Sequence, residues 1–341
     1  MKHTLFGAAF AVLTGLGPAL AETTDIKFTL GWKTQGSDAP FLVALNEGYF
    51  EEEGLNVTID QGEGSAATIT RIMSGAYDAG FGDINAIIQN AAARPGEAPV
   101  MVFQMWNRPP FAIAVPKELG LTSPKELEGK TLGGAQGTPT TRLFPVFARL
   151  NDIDAETIKY ESLAPNLQEP MLIRGEIDGA FTFTVSSWFN LIANRKDPAA
   201  DFDWFNYEDY GMDLYSNGMM VSREMLAENP EAVAGLVRAV TRATMEITKD
   251  QDIAVKAIMA FDNLVDADLE RARLEFALTK LMNAPEVSET GIGDLVDERL
   301  TRSIAIIAEG YGLETLPEAS EIFDRSFLPP VEERVFSVTM N

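Results

Sequence analysis

The sequence predicts an α/β fold in two lobes, and three observations carry that prediction. Short β-rich runs alternate with helical patterns through the first half, which implies a mostly parallel sheet with helices on both faces. The pattern G-x-x-D-[AG]-x-F occurs twice, in "SGAYDAGFGD" (74–83) and "RGEIDGAFTF" (174–183). Each copy follows an amphipathic run and precedes a capping residue and another helix, as if one unit served both lobes. Beyond Gly218 the texture changes to long helical periodicity. A chain of 341 residues is also long enough for about two domains.

The elements follow in order. "IKFTLGW" (26–32) reads as a strand, then Gly36, Ser37, Asp38, Ala39 and Pro40 lead into an apolar helix from Phe41. "LNVTID" (55–60) is a second strand; Gly62-Glu63-Gly64-Ser65 follows, then a helix that Gly75 ends. "AGFG" (79–82) is a third, with Asp83 placed to cap "INAIIQNAA". "PVMVFQMW" (99–106) is a fourth. "GGAQGTPTTR" (133–142) resembles a phosphate loop in outline but lacks the lysine after its last glycine. It retains a helix start whose backbone N–H groups can meet lone pairs or negative charge. The chain is expected to leave the first lobe near Pro109–Pro116 and to return near Tyr215–Met220. That gives a first lobe of 22–115 plus 219–341, a second of 116–218, and a double-crossing hinge with a cleft between. Several strand ends run into Ser, Asp, Thr or Gly and then a helix, so their N-termini should gather at the cleft edge, where α/β sheets bind ligands.

Composition narrows the chemistry. Residues 1–21 have the layout of a cleaved secretory signal, with a lysine, an apolar stretch and Ala19-Leu20-Ala21. There is no cysteine, and the single histidine, His3, lies in that segment. A soluble, exported, periplasmic protein without His or Cys is the expectation. Serine–histidine and cysteine–histidine nucleophile systems and His-based zinc sites are then excluded. Paired carboxylates stay open, so a carboxylate-dependent hydrolase is a remote alternative. Neither a cofactor nor a metal is expected, since no calcium-loop motif is present. A net charge of −24 argues against nucleic acid and anionic lipid as partners.

The stretches "LGWKTQGSDAPFLVALNEGYFEEEGLNVTI" (30–59), "SGAYDAGFGD" and "SPKELEGKTLGGAQGT" (123–138) resemble the solute-binding proteins of ABC importers. The nearest group is the NMT1/THI5-like and SsuA-like superfamily, which covers sulfonate, nitrate and thiamine-pyrimidine precursor uptake. The resemblance spans most of the chain after residue 21. It implies a type II periplasmic binding fold: a monomeric receptor that closes on a small molecule and delivers it to an inner-membrane permease, without catalysis. In the pyrimidine-binding branch a Trp follows the first strand and an H-A-P or H-A-G triplet comes after it. Trp32 matches, while the triplet is Asp38-Ala39-Pro40. The superfamily's fungal pyrimidine synthases use an active-site histidine and cysteines, which this chain lacks beyond His3.

Ligand-binding candidates follow from position. Trp32 lies at the first strand's end, placed to stack on a flat ligand. Asp38, Ser65 and Asp83 sit at helix starts of the first lobe. Trp106, Asn107 and Arg108 end the fourth strand, and Arg108 could meet an anion or only the acidic surface. Gln136, Thr138 and Thr140 belong to the glycine-rich loop and its helix, with Arg142 one turn on. Thr184 and Trp188 mark the second lobe's edge; Phe181 reads as core, and Tyr210 and Asn217 flank the return crossing. The aromatic set Trp32, Trp106, Phe183 and Trp188 favours a flat, largely neutral heterocycle such as a pyrimidine. A small sulfonate, nitrate or carboxylate held by Arg108 or Arg142 is the alternative.

Overall fold

The structure, a computed structural model, describes residues 23–164 and 166–335; the predicted signal at 1–21 lies outside them. The first lobe opens with β1 (Thr24–Thr29), β2 (Leu55–Asp60), β3 (Ala79–Asp83) and β4 (Val100–Gln104). The second contains β5 (Phe111–Pro116), β6 (Thr131–Gly134), β7 (Lys159–Ser162), β8 (Gly179–Phe183) and β9 (Phe202–Asn206), and β10 (Asn217–Val221) returns to the first.

The strands form two five-stranded sheets, ordered β2-β1-β3-β10-β4 and β7-β6-β8-β5-β9. The orders are the same once β1 is matched with β6, β2 with β7, β3 with β8, β10 with β5 and β4 with β9. The sheets are mixed, where the alternation predicts mostly parallel pairing. Both β10 and β5 run antiparallel to both neighbours. The reason is their route: each arrives from the other sheet without an α-helical crossover, the β10 connection holding only the short 3-10 turn Tyr207–Tyr210, so nothing turns it parallel. The exchange also places residues 111–115, which a boundary at 115/116 leaves with the first lobe, in the second sheet together with Pro116. Two connections, 105–110 and 207–216, therefore join the lobes.

The repeated motif has a mechanical explanation. Gly75 and Gly175 both adopt positive φ just after a helix end, at 72° and 68°. Asp78 and Asp178 then each tie down the neighbouring strand. Lys27 N donates to Asp78 Oδ2 at 2.8 Å, and Thr131 N donates to Asp178 Oδ2 at 2.8 Å. Asp78 and Asp178 donate their own backbone N–H to the carbonyls of Lys27 and Thr131. Phe81 and Phe181 follow on the central strands, both buried.

After β10 the chain is helical, as expected. Pro230–Ile247 and Asp252–Phe261 pack on the helix Ala39–Asn46. Ala267–Phe276 lies against the short turn Gly36–Asp38 and continues as a wider π-helical stretch, Ala277–Met282. Asp297–Tyr311 packs on helices of both lobes, Ile84–Ala93 and Pro139–Leu150. It begins on the return connection: Val296 N donates to Tyr215 Oη at 2.8 Å, and Arg299 bonds Asp213 Oδ1 at 2.7 Å and the Leu214 carbonyl at 3.1 Å. No described helix is long and apolar enough to cross a membrane.

Candidate functional site

The matched topology brings corresponding helix starts of the two lobes face to face. The loop after β1 supplies Trp32, Gln35 and Asp38; the loop after β2 supplies Gly64 and Ser65. From the second lobe come Thr138 after β6, Gln168 and Glu169 after β7, and Ser186, Ser187 and Asn190 after β8. Phe81, Trp106, Phe181 and Phe183 complete the walls.

The two loops meet at glycine. Ala66 N donates to the Gly137 carbonyl at 3.3 Å across the cleft. A Cβ on Gly64 would lie 2.8 Å from that oxygen, and φ of 105° there suits only glycine. The glycine-rich loop of the second lobe thus serves as a contact between lobes, and its helix start faces the pocket through Thr138. Thr138 Oγ1 donates to the Ala135 carbonyl at 2.9 Å rather than capping its helix.

The aromatic walls form a continuous chain. Phe81 meets Trp106 edge-on at 5.1 Å between ring centres, and Trp106 lies 6.2 Å from Phe183. Trp106 is fully buried, yet its Nε1 has no hydrogen-bond partner among the described residues. That donor costs free energy unless something else accepts from it.

Two carboxyls line the same space from opposite lobes. Asp38 is buried in the first lobe and accepts from Gln35 N at 3.0 Å. Burial, against that hydrogen bond and with the nearby Glu270 adding, pushes its pKa up to about 8. Glu169, in the second lobe, is also buried, and burial raises it above the ordinary carboxylate range. Asp38 is therefore largely protonated at neutral pH, so it can both donate and accept.

Of the predicted candidates, Trp32, Asp38, Ser65, Trp106 and Thr138 meet in this pocket. Asp83 lies just behind Ser65, whose Oγ accepts from Asp83 N at 3.0 Å. It caps the helix Ile84–Ala93 through Asn85 N at 2.9 Å and accepts from Ser216 Oγ at 3.0 Å, and burial lifts its pKa to about 7. The other candidates have structural employment. Asn107 donates to the Asp294 carbonyl at 3.2 Å and Thr140 to the Thr182 carbonyl at 2.8 Å. Trp188 packs on Trp204 at 5.4 Å, while Thr184 starts its helix with its N–H on the Pro110 carbonyl at 2.8 Å. Arg108 and Gln136 are exposed and outside the pocket. Arg142 turns to Gln89 in a separate small recess behind Ser65.

Sequence reasoning passed over Gln35, Gln168, Glu169, Ser186, Ser187 and Asn190, and took Phe181 for core alone. A signal for Glu169 was available. The strand-end rule applied to β2 and Ser65 points, in the repeated unit, to the helix start after β7, which is Gln168–Glu169.

Residues 35–254 match the NMT1/THI5 like family. The chain belongs to that family. Among its relatives, the 4-amino-5-hydroxymethyl-2-methylpyrimidine phosphate synthase of Schizosaccharomyces pombe is 24% identical over 263 residues, 74% of each chain. The riboflavin-binding protein RibY of Chloroflexus aurantiacus is 22% identical over 316 residues, 85% of this chain and 82% of its own. In three dimensions the chain is similar to the alkanesulfonate-binding protein SsuA of Xanthomonas axonopodis pv. citri. The TM-score is 0.65 at 15% identity, covering 87% of this chain and 96% of that one. The fold of this family member is the periplasmic binding protein fold, two α/β lobes around a cleft.

Proposed function

We propose that this protein is a non-catalytic solute receptor that closes its two lobes on a flat, largely neutral heterocycle carrying N–H and acceptor groups on one edge, with a pyrimidine as the type. The observation that supports it is the composition of the pocket: aromatic walls with one buried carboxyl from each lobe, and none of the arginines proposed from sequence. A ring between Trp32, Trp106 and Phe183 gains stacking contact. A protonated Asp38 offers a donor and an acceptor side by side, which matches an amide or amidine edge of a ring better than an anion. The free Trp106 Nε1 supplies a second donor for a ring nitrogen or carbonyl. Delivery to an ABC permease from the periplasm fits this receptor reading.

The active-site histidine and cysteines that the resemblance implies for the fungal pyrimidine synthases have no counterpart here beyond His3. A carboxylate-dependent hydrolase gains one feature that the sequence did not offer, since Glu169 faces the cleft opposite Asp38's lobe. Such a mechanism uses two acids in different protonation states flanking a scissile bond, whereas burial raises both Asp38 and Glu169 above their ordinary values. A thermal-shift panel of pyrimidines, other heterocycles, sulfonates and carboxylates tests the proposal. A ligand at about a hundred times its Kd stabilises by about 2.7 kcal/mol, several degrees of midpoint. The heterocycles should shift the midpoint, with Trp32→Ala removing the shift and Arg108→Ala leaving it. A panel in which only anions act, or turnover of any bound compound by the pure protein, would sink the proposal.

A further inference from the structure

Arg273 is a buried cation that stacking and ligand recognition leave unused. It lies on the helix Ala267–Phe276, and its guanidinium is held beside Glu270 at 3.1 Å. Glu270 is itself tied to the first lobe, where Gly36 N donates to Oε2 at 2.5 Å. From that anchorage Arg273 Nη1 donates to Gln35 Oε1 at 2.9 Å and Nη2 to Asn190 Oδ1 of the second lobe at 3.3 Å. The same Gln35 oxygen accepts from Ser186 Oγ of the second lobe at 2.9 Å. Arg273 also stands over the Phe189 ring at 5.6 Å.

These contacts sit on a boundary. Inside them lies the aromatic pocket, with a volume of about 50 Å³; outside lies a chamber of about 450 Å³ lined by Trp32, Lys33, Val265, Leu269 and others. Gln35, Ser186 and Asn190 line both spaces. A cavity of about 150 Å³ is what takes up a benzene ring. The inner pocket in this closed form is thus too small for one ring, so a ligand enters only if the lobes part. Two helices bridge the lobes: Asp297–Tyr311 packs on Ile84–Ala93 and Pro139–Leu150, and Ala267–Phe276 packs on Gly36–Asp38 and Thr184–Ala193, its continuation accepting the Arg108 N–H at the Leu281 carbonyl at 3.0 Å. The side held by Arg273 borders the outer chamber, which makes it the candidate mouth.

We propose that Arg273 is the latch of the mouth, the positioning residue that sets how far the unliganded protein favours the closed form. Gln35 is its relay to Ser186, and Asn190 its direct catch. The device goes beyond the choice of ligand, since it acts before any ligand is bound.

The chain has no cysteine, so a labelled pair is clean. Glu51→Cys in the first lobe and Glu118→Cys in the second, both exposed, carry spin labels, and their distance distribution is measured without ligand. Arg273→Met should raise the long-distance, open population about tenfold, the scale of one lost charge-assisted bond. Arg273→Lys should restore part of the closed form. If Arg273→Met fails to fold, Ser186→Ala combined with Asn190→Ala decides, because both leave the Arg273–Glu270 pair in place. An open shift in that double variant supports the latch. A distance distribution unchanged by Arg273→Met, or by the double variant where it stands in, overturns it. The readout needs no ligand, so a failed ligand panel leaves the latch standing, and an unchanged distribution leaves the receptor proposal standing.

Discussion

The two lobes share one strand order but differ in what lies behind the sheet. The first has a broad apolar layer in which Phe28, Phe41 and Phe81 pack ring on ring at 4.8 and 5.1 Å. The helices after β10 cover it. The second lobe's outer face rests on six buried residues: Ala114, Leu172, Ile177, Ala180, Leu191 and Phe202. Its edge strand β7 is exposed throughout. Identical topology therefore does not mean identical stability. The heavier lobe can anchor Arg273, and the lighter one is suited to be the part that moves.

The sharpest break of this comparison lies at the loops after β1 and β6. A Cβ on Gly36 would stand 2.0 Å from the Glu270 carbonyl, so Gly36→Ala must displace the helix that carries Arg273. Its partner loop exposes Gln136, and Gln136→Ala should change nothing. Denaturant unfolding should show a loss of about 3 kcal/mol or more for the first, the range of an overpacked backbone contact. Equal stability of the two variants would remove the distinction between lobes.

Core truncations come next. Phe41→Ala should cost about 3–5 kcal/mol, while Leu172→Ala in the thin cluster should sit at the low end of its class, about 2–3 kcal/mol. Hydrogen exchange should in addition find β7 and β8 opening at lower free energy than β1 and β3. Uniform protection across both sheets would contradict the comparison.

The pH dependence separates the site's two sides. Asp38 has a folded pKa of about 8 against an ordinary 3.8, so the folded state holds its proton where the unfolded state has lost it. That group's contribution to stability is greatest below about pH 4 and declines as pH rises towards 8. Asp38→Asn should flatten that decline, with the gain over wild type growing from acid to pH 8 in thermal melts. Parallel profiles for the two proteins would show that Asp38 is already ionised.

The smallest effect tests the sameness rather than the difference. Asp78→Ala and Asp178→Ala each remove a carboxylate that accepts a strand N–H at 2.8 Å, and each should cost about 1–2 kcal/mol. A large disparity would mean that the repeated motif does different work in the two lobes.

The sequence alone determined what is local and repeated. Strand–helix alternation, the glycine end at Gly75, the cap at Asp83 and the pairing of Asp78 with Asp178 in one repeated motif all depend on residues close in the chain or on a unit used twice. Excluding histidine and cysteine chemistry from most of the chain needed only composition. Trp32, Asp38, Ser65 and Thr138 were legible because each ends a strand or starts a helix. Only the tertiary structure decided which polar residues share a space. It set Glu169 across from Asp38, sent Arg108 to the surface and Arg142 to another recess, and made Asn107 and Thr140 internal braces. It also exchanged β5 and β10 between sheets and brought Arg273 to Gln35 across 238 positions. The physical reason is that a side chain's type is set by the gene, whereas its partner is set by which backbone segments pack together. Glu270 three residues earlier is an acidic partner that many solvated helical arginines also have; burial and the contact with Gln35 are what set Arg273 apart.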